Sequence, residues 1–131
     1  MSIKTLSLNT GAKIPILGFG TWQAAPGEVK KAVAHAIKSG YRHIDCAVCY
    51  ANEDEVGEGI KEAIDAGVVK REDLFVTTKV WCTFSSRVEE ALDKSLKSLQ
   101  LEYVDLLLVH WPVAMNPKGM HDPSFTVFIP A

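Results

Sequence analysis

With 131 residues the chain has room for one domain, and a domain of that size buries roughly two thirds of the surface its unfolded form exposes. Hydrophobic residues make up 47% and charged residues 23%, the proportions of a globular protein. The 14 basic and 16 acidic side chains leave a formal charge of -2 without any basic block, which argues against nucleic acid or an anionic membrane surface as a partner. No apolar run approaches a membrane span, and Met1-Ser2-Ile3-Lys4-Thr5 lacks the apolar core of a signal peptide, so a cytoplasmic location is expected. Three cysteines, an odd number, point to reduced thiols rather than a disulfide framework.

Taken in order, Thr5-Leu6-Ser7-Leu8 and Ala12-Lys13-Ile14-Pro15 flank the turn residues Asn9-Thr10-Gly11 and predict a β-hairpin. Leu17-Gly18-Phe19-Gly20 is a short glycine-rich strand, followed by a loop through Gly27. From Glu28 to Lys38 the apolar residues Val29, Ala32, Val33, Ala36 and Ile37 recur at threes and fours, the period of an amphipathic helix, and Gly40 follows its end. Tyr41 to Asp45 is the next strand; a polar loop then leads into a helix that begins near Asn52 and turns Val56, Ile60, Ala63 and Ile64 to one side. Phe75-Val76-Thr77-Thr78-Lys79 is β-branched and reads as a strand. Ser85 or Ser86, with Glu89, predicts a capping box for a third helix whose buried stripe is Val88, Leu92, Leu96 and Leu99. Val104 to His110 is a last strand, apolar except at Asp105, and such a run predicts burial on both faces.

Strands and helices thus alternate with a period of about thirty residues, which predicts a parallel α/β sheet. A doubly wound nucleotide-binding sheet needs a third glycine after Gly18-Phe19-Gly20, but Thr21, Trp22 and Gln23 follow instead. A (β/α)8 barrel typically takes about 250 residues, so this chain holds enough for about half of one: four strands and three helices after the hairpin.

The carboxyl ends of parallel strands are where such folds do chemistry. Here those ends carry Thr21 and Trp22; Asp45 and Tyr50; Lys79 and Trp81; and His110 and Trp111. If the strands are neighbours, an acid, a phenol, an amine and an imidazole converge on one face, a set suited to giving a proton to a polarised oxygen. A phenol with a pKa of about 10 is a poor acid near neutrality, and an adjacent ammonium favours its ionised form. Lys79 is placed to supply that ammonium, Asp45 to hold it, and His110 to hydrogen-bond the oxygen.

These residues resemble the aldo-keto reductases, of the aldose and aldehyde reductase type. The resemblance rests on Gly18-Phe19-Gly20-Thr21-Trp22, on Tyr41-Arg42-His43-Ile44-Asp45-Cys46-Ala47 through Tyr50-Ala51-Asn52-Glu53, on Thr78-Lys79-Val80-Trp81, and on Leu107-Leu108-Val109-His110-Trp111-Pro112. It implies a (β/α)8 TIM-barrel fold and NADPH-dependent reduction of small carbonyl substrates, aldehydes and sugars, to alcohols. By position, Tyr50 is implied as general acid, with Lys79 and Asp45 as the pair that assists it and His110 as the orienting group. Gly20, Thr21, Trp22 and Asp45 are implied to bind the cofactor, and Trp22, Trp81, His110 and Trp111 the substrate. The resemblance also implies that most cofactor contacts come from the second half of the barrel, whose positions are not among these residues.

Taken one at a time, these residues have plainer readings. Asp45 and Lys79 can be a surface pair, Tyr50 and the tryptophans packing residues, and His110 part of a turn. The spacing of Cys46 and Cys49 matches a redox or metal pair, but there is no helix start to activate a thiol, and a zinc ion would need two more ligands; no metal is expected. Residues 1–119 are read as the N-terminal half of the barrel and 120–131 as a divergent tail. A half-barrel exposes strand edges, which self-association would cover. The alternative to catalysis is therefore a non-catalytic remnant or interaction module that keeps these residues by inheritance.

Overall fold

The computed structural model describes residues 3–116; the boundary drawn at residue 119 and the 120–131 segment lie outside them. The hairpin forms as predicted: β1 (Thr5–Ser7) pairs antiparallel with β2 (Lys13–Pro15), Thr5 opposite Pro15. Gly11 takes a φ of 86° in the turn between them, a conformation that costs a glycine nothing.

Four parallel strands follow, β3 (Phe19–Gly20), β4 (His43–Asp45), β5 (Phe75–Val80) and β6 (Leu106–Val109), and their order in the sheet is their order in the chain. Between them run α1 (Val29–Lys38), α2 (Glu53–Asp65) and α3 (Val88–Leu99), with α1 packed on α2 and α2 on α3. A sheet wound in one direction, with its helices side by side, is the arrangement of a barrel segment rather than of a doubly wound sheet, whose strand order reverses.

Pleating divides the strand residues between two faces. Ile44 and Val76 join Val29, Val33 and Ile37 of α1, Val56, Ile60 and Ala63 of α2, and Leu99 of α3 in one core. On the other face His43 reaches from β4 to the Thr77 hydroxyl at 3.0 Å and to the Pro15 carbonyl at 3.3 Å, tying the hairpin to the sheet. Two glycines let the helices close on each other. A Cβ at Gly57 would lie 2.3 Å from the Leu99 carbonyl oxygen, and one at Gly59 would lie 2.6 Å from that of Lys30.

Three details differ from the sequence expectation. Neither Ser85 nor Ser86 caps α3: a 3-10 turn at Cys82–Phe84 precedes it, and Arg87 stands at its start with no side-chain cap. The Arg87 guanidinium reaches back to the Thr83 carbonyl at 3.2 Å and forward to Glu90 at 2.9 Å, which fixes the entry to the helix there. The buried line of α3 is Ala91, Ser95 and Leu99, while Val88 is exposed and Leu92 and Leu96 are half-buried. Ser95 turns inward because its hydroxyl donates to the buried Glu53 carboxylate at 3.0 Å. Finally, β6 is an edge strand in these residues, so its apolar run is only partly covered and Val109 is 71% exposed.

Candidate active site

Register sets Asp45 opposite Thr77, so Lys79, two residues further along β5, shares the face of Asp45 and lies nearer the carboxyl end. Its Nζ donates to Asp45 Oδ2 at 2.8 Å, to the Cys46 carbonyl at 2.9 Å and to the Tyr50 hydroxyl at 3.2 Å. Three N–H groups thus meet three acceptors, which leaves the ammonium fully hydrogen-bonded. Burial pulls the Lys79 pKa down, but the bonds to Asp45 and Tyr50 and their charge outweigh it, and the net shift is upward. Lys79 is therefore a fixed cation at neutral pH.

Tyr50 arrives beside it through a 3-10 turn at Val48–Tyr50, closed by Ala51 at a φ of 55°. A left-handed alanine costs on the order of 1–2 kcal/mol, which the surrounding contacts must outweigh. His110 follows β6, held by its own N–H to the Val80 carbonyl at 3.1 Å. Its ring meets Tyr50 edge to face at 5.6 Å and Trp81 in the same way at 5.3 Å. Burial first, then the nearby Lys79 charge, lowers the His110 pKa, which makes the neutral imidazole the form present at pH 7. The Cys49 Sγ lies 3.5 Å from its Nδ1.

The structure therefore brings Asp45, Tyr50, Lys79 and His110 together, with Trp81 stacked obliquely on Trp111 at 5.6 Å along one side. Trp22 stands 6.3 Å from Tyr50 with 67% of its surface exposed. Thr21 is placed differently. It is buried, and both its backbone N–H and its hydroxyl donate to the Asp45 carbonyl, at 3.2 and 3.1 Å. Its own carbonyl accepts from the Asn52 amide at 2.8 Å, so Thr21 is a strut that fixes the strand end. Gly20 pairs with Asp45 and has open space where a Cβ would be.

A layer behind these residues was not anticipated. Glu53, 6% exposed, accepts from Thr78 Oγ1 at 2.5 Å and Ser95 Oγ at 3.0 Å. Burial raises its pKa, against the pull of those donors and of Cys46. Position 53 falls three residues before Val56 on the apolar side of α2, and an acid in that stripe was the available signal. Burial pushes the Cys46 thiol up strongly and the Cys49 thiol up to about 11, so neither is a thiolate at neutral pH. Among the described residues no group of three or more His, Cys, Asp or Glu side chains is arranged to hold a metal ion. No helix among them is long and apolar enough to cross a membrane.

The strand order, with helices side by side on one face, defines a segment of a parallel β/α barrel. The model of the aldo/keto reductase family matches residues 16–126, and the chain belongs to that family. It is 62% identical over 122 residues to the D-galacturonate reductase of Hypocrea jecorina, covering 93% of this chain and 39% of that protein. With the glycerol 2-dehydrogenase (NADP(+)) of Saccharomyces cerevisiae it shares 58% identity over 116 residues, covering 88% of this chain and 36% of the other. The crystal structure of a Bombyx mori aldo-keto reductase in complex with NADP superposes with a TM-score of 0.85 at 46% identity, over 90% of this chain and 41% of that one. The chain thus spans well under half the length of these relatives.

Proposed function

We propose that these residues form the proton-donating side of an NADPH-dependent carbonyl reductase acting on aldehydes or sugar carbonyls. The observation that carries the reading is the Lys79 ammonium, which bridges Asp45 at 2.8 Å and the Tyr50 hydroxyl at 3.2 Å at the carboxyl end of neighbouring strands. NADPH, when bound, supplies a hydride to the carbonyl carbon. The Tyr50 hydroxyl gives its proton to the carbonyl oxygen, and Lys79, held by Asp45 and the Cys46 carbonyl, stabilises the phenolate that remains. His110, neutral and flanked by Tyr50 and Trp81, is the donor that orients the oxygen before transfer. Trp22, Trp81 and Trp111 wall the place where the rest of the substrate lies.

The residues present fit the cofactor. The Asp45 carboxylate is about one third exposed and keeps acceptor capacity beyond the bond to Lys79, suited to a ribose hydroxyl. Gly20 leaves room opposite it, and Trp22 offers an exposed aromatic surface. Tyr50→Phe keeps the ring and its packing but removes the proton. It is expected to lower NADPH-dependent aldehyde reduction by at least ~10²-fold while leaving the circular dichroism unchanged. A variant that reduces aldehyde as fast as the parent would falsify the role of Tyr50.

A second reading, an interaction module without turnover, is favoured by the exposed apolar side chains of β6, Leu108 and Val109. That reading requires association with another chain rather than catalysis.

A further inference from the structure

The 3-10 turn at Val48–Tyr50 delivers two side chains at once. Tyr50 goes to Lys79, while the thiol of Cys49 goes to the ring of His110, a residue 61 positions away, with 3.5 Å between Sγ and Nδ1. Only the first of these contacts has a part in the proton transfer described above. We propose that Cys49 is a positioning residue for His110: its S–H donates to Nδ1 and thereby fixes the neutral imidazole with its proton on Nε2.

The direction of the bond follows from the two partners. An imidazole nitrogen with a free lone pair is a good acceptor, whereas a thiol sulfur is a weak one, so S–H to Nδ1 is better than Nδ1–H to sulfur. The thiol keeps its proton, since burial, only partly offset by the Lys79 charge, raises its pKa to about 11. The ring is neutral as well, because burial and the same Lys79 charge disfavour the imidazolium. Around it stand Tyr50 and Cys49 from the turn, Lys79 from β5, Asp45 from β4, and Trp81 and Trp111. The aromatic neighbours meet it edge to face, and the thiol is the polar side-chain group that the structure sets against Nδ1. A histidine used as a donor to substrate needs its proton on the nitrogen that faces the substrate, and a partner on the other nitrogen decides which one carries it. The value of the arrangement to catalysis rests on the reading of His110 given above; the tautomer itself does not.

The test is a two-bond ¹H–¹⁵N correlation spectrum of the ¹⁵N-histidine-labelled 131-residue chain at neutral pH, which distinguishes bare from protonated ring nitrogens for each of its four histidines. The His110 signals are assigned by their loss in His110→Gln. The parent is expected to show Nδ1 bare and Nε2 protonated. Cys49→Ser, which restores a donor at the same place, is expected to keep that pattern, and Cys49→Val to shift His110 toward a mixture of the two tautomers. Cys49→Ala makes the same comparison if the valine variant does not fold. A proton on Nδ1 in the parent overturns the proposal. So does a donor-free variant that retains the parent's tautomer ratio. Failure of the Tyr50→Phe prediction would remove the reductase reading and leave this spectrum as it is.

Discussion

Three carboxylates on this scaffold have three different fates, each set by what surrounds it. Asp45, partly exposed, anchors the Lys79 cation. Glu53, buried, binds two hydroxyls and is pushed toward its neutral form by lost solvation. Glu55, two residues further along the same helix, is half-buried, and its oxygens accept the backbone N–H groups of Gly27 at 2.8 Å, Val29 at 3.1 Å and Lys30 at 3.4 Å. It thereby caps α1 from α2, and those bonds, that of Gly27 foremost, hold its pKa below the ordinary carboxylate value. A depressed folded pKa means that the ionised form stabilises the fold; the contribution is present above the unfolded pKa and disappears as pH falls through the folded one. Glu55→Gln is therefore expected to lower Tm at pH 7, with the gap to the parent narrowing below about pH 4 as the parent's carboxylate protonates. A gap that stays constant from neutral to acid pH would show that charge has no part in the cap.

At the scale of elements, α2 is the piece whose fit to its neighbours is tightest. Gly57 faces the backbone of Leu99 and Gly59 faces that of Lys30, and backbone cannot move aside as a flexible side chain would. Alanine in a helix gains up to about 1 kcal/mol over glycine, but forcing a methyl into a closed contact costs about 1–3 kcal/mol or more. Overpacking wins at Gly57, where the Cβ would lie only 2.3 Å from the carbonyl oxygen. Gly57→Ala should lower the midpoint of urea unfolding with the slope unchanged; a variant as stable as the parent would mean that α2 and α3 stand further apart. The first two helices were legible because Val29, Val33, Ile37 and Val56, Ile60, Ala63 keep a helical period, and Asp45, Tyr50, Lys79 and His110 stood out because they close or follow the short strands. The sequence hid Glu53, Thr78 and Ser95, since a polar residue in an apolar stripe has no visible partner until the chain is folded. The start of α3 was hidden for a related reason: Arg87, not a serine, organises it through contacts with Thr83 and Glu90.

For the molecule as a whole, the sheet of the described residues has β3 and β6 at its edges, and β6 leaves Leu108 on one face and Val109 on the other exposed. Unpaired strand edges with apolar side chains invite pairing with another chain. The 131-residue chain is expected to self-associate as its concentration rises, and Val109→Lys to reduce the association; sedimentation that gives a concentration-independent monomer for the parent would rule this out. The other edge-related feature is the order of the strands. Because spatial neighbours are also neighbours in the chain, each strand and helix emerging during synthesis finds its docking surface already made by the unit before it. Assembly can then proceed stepwise from the hairpin onward, with Asp45 waiting at its strand end for Lys79, and Lys79 in turn in place before His110 is made.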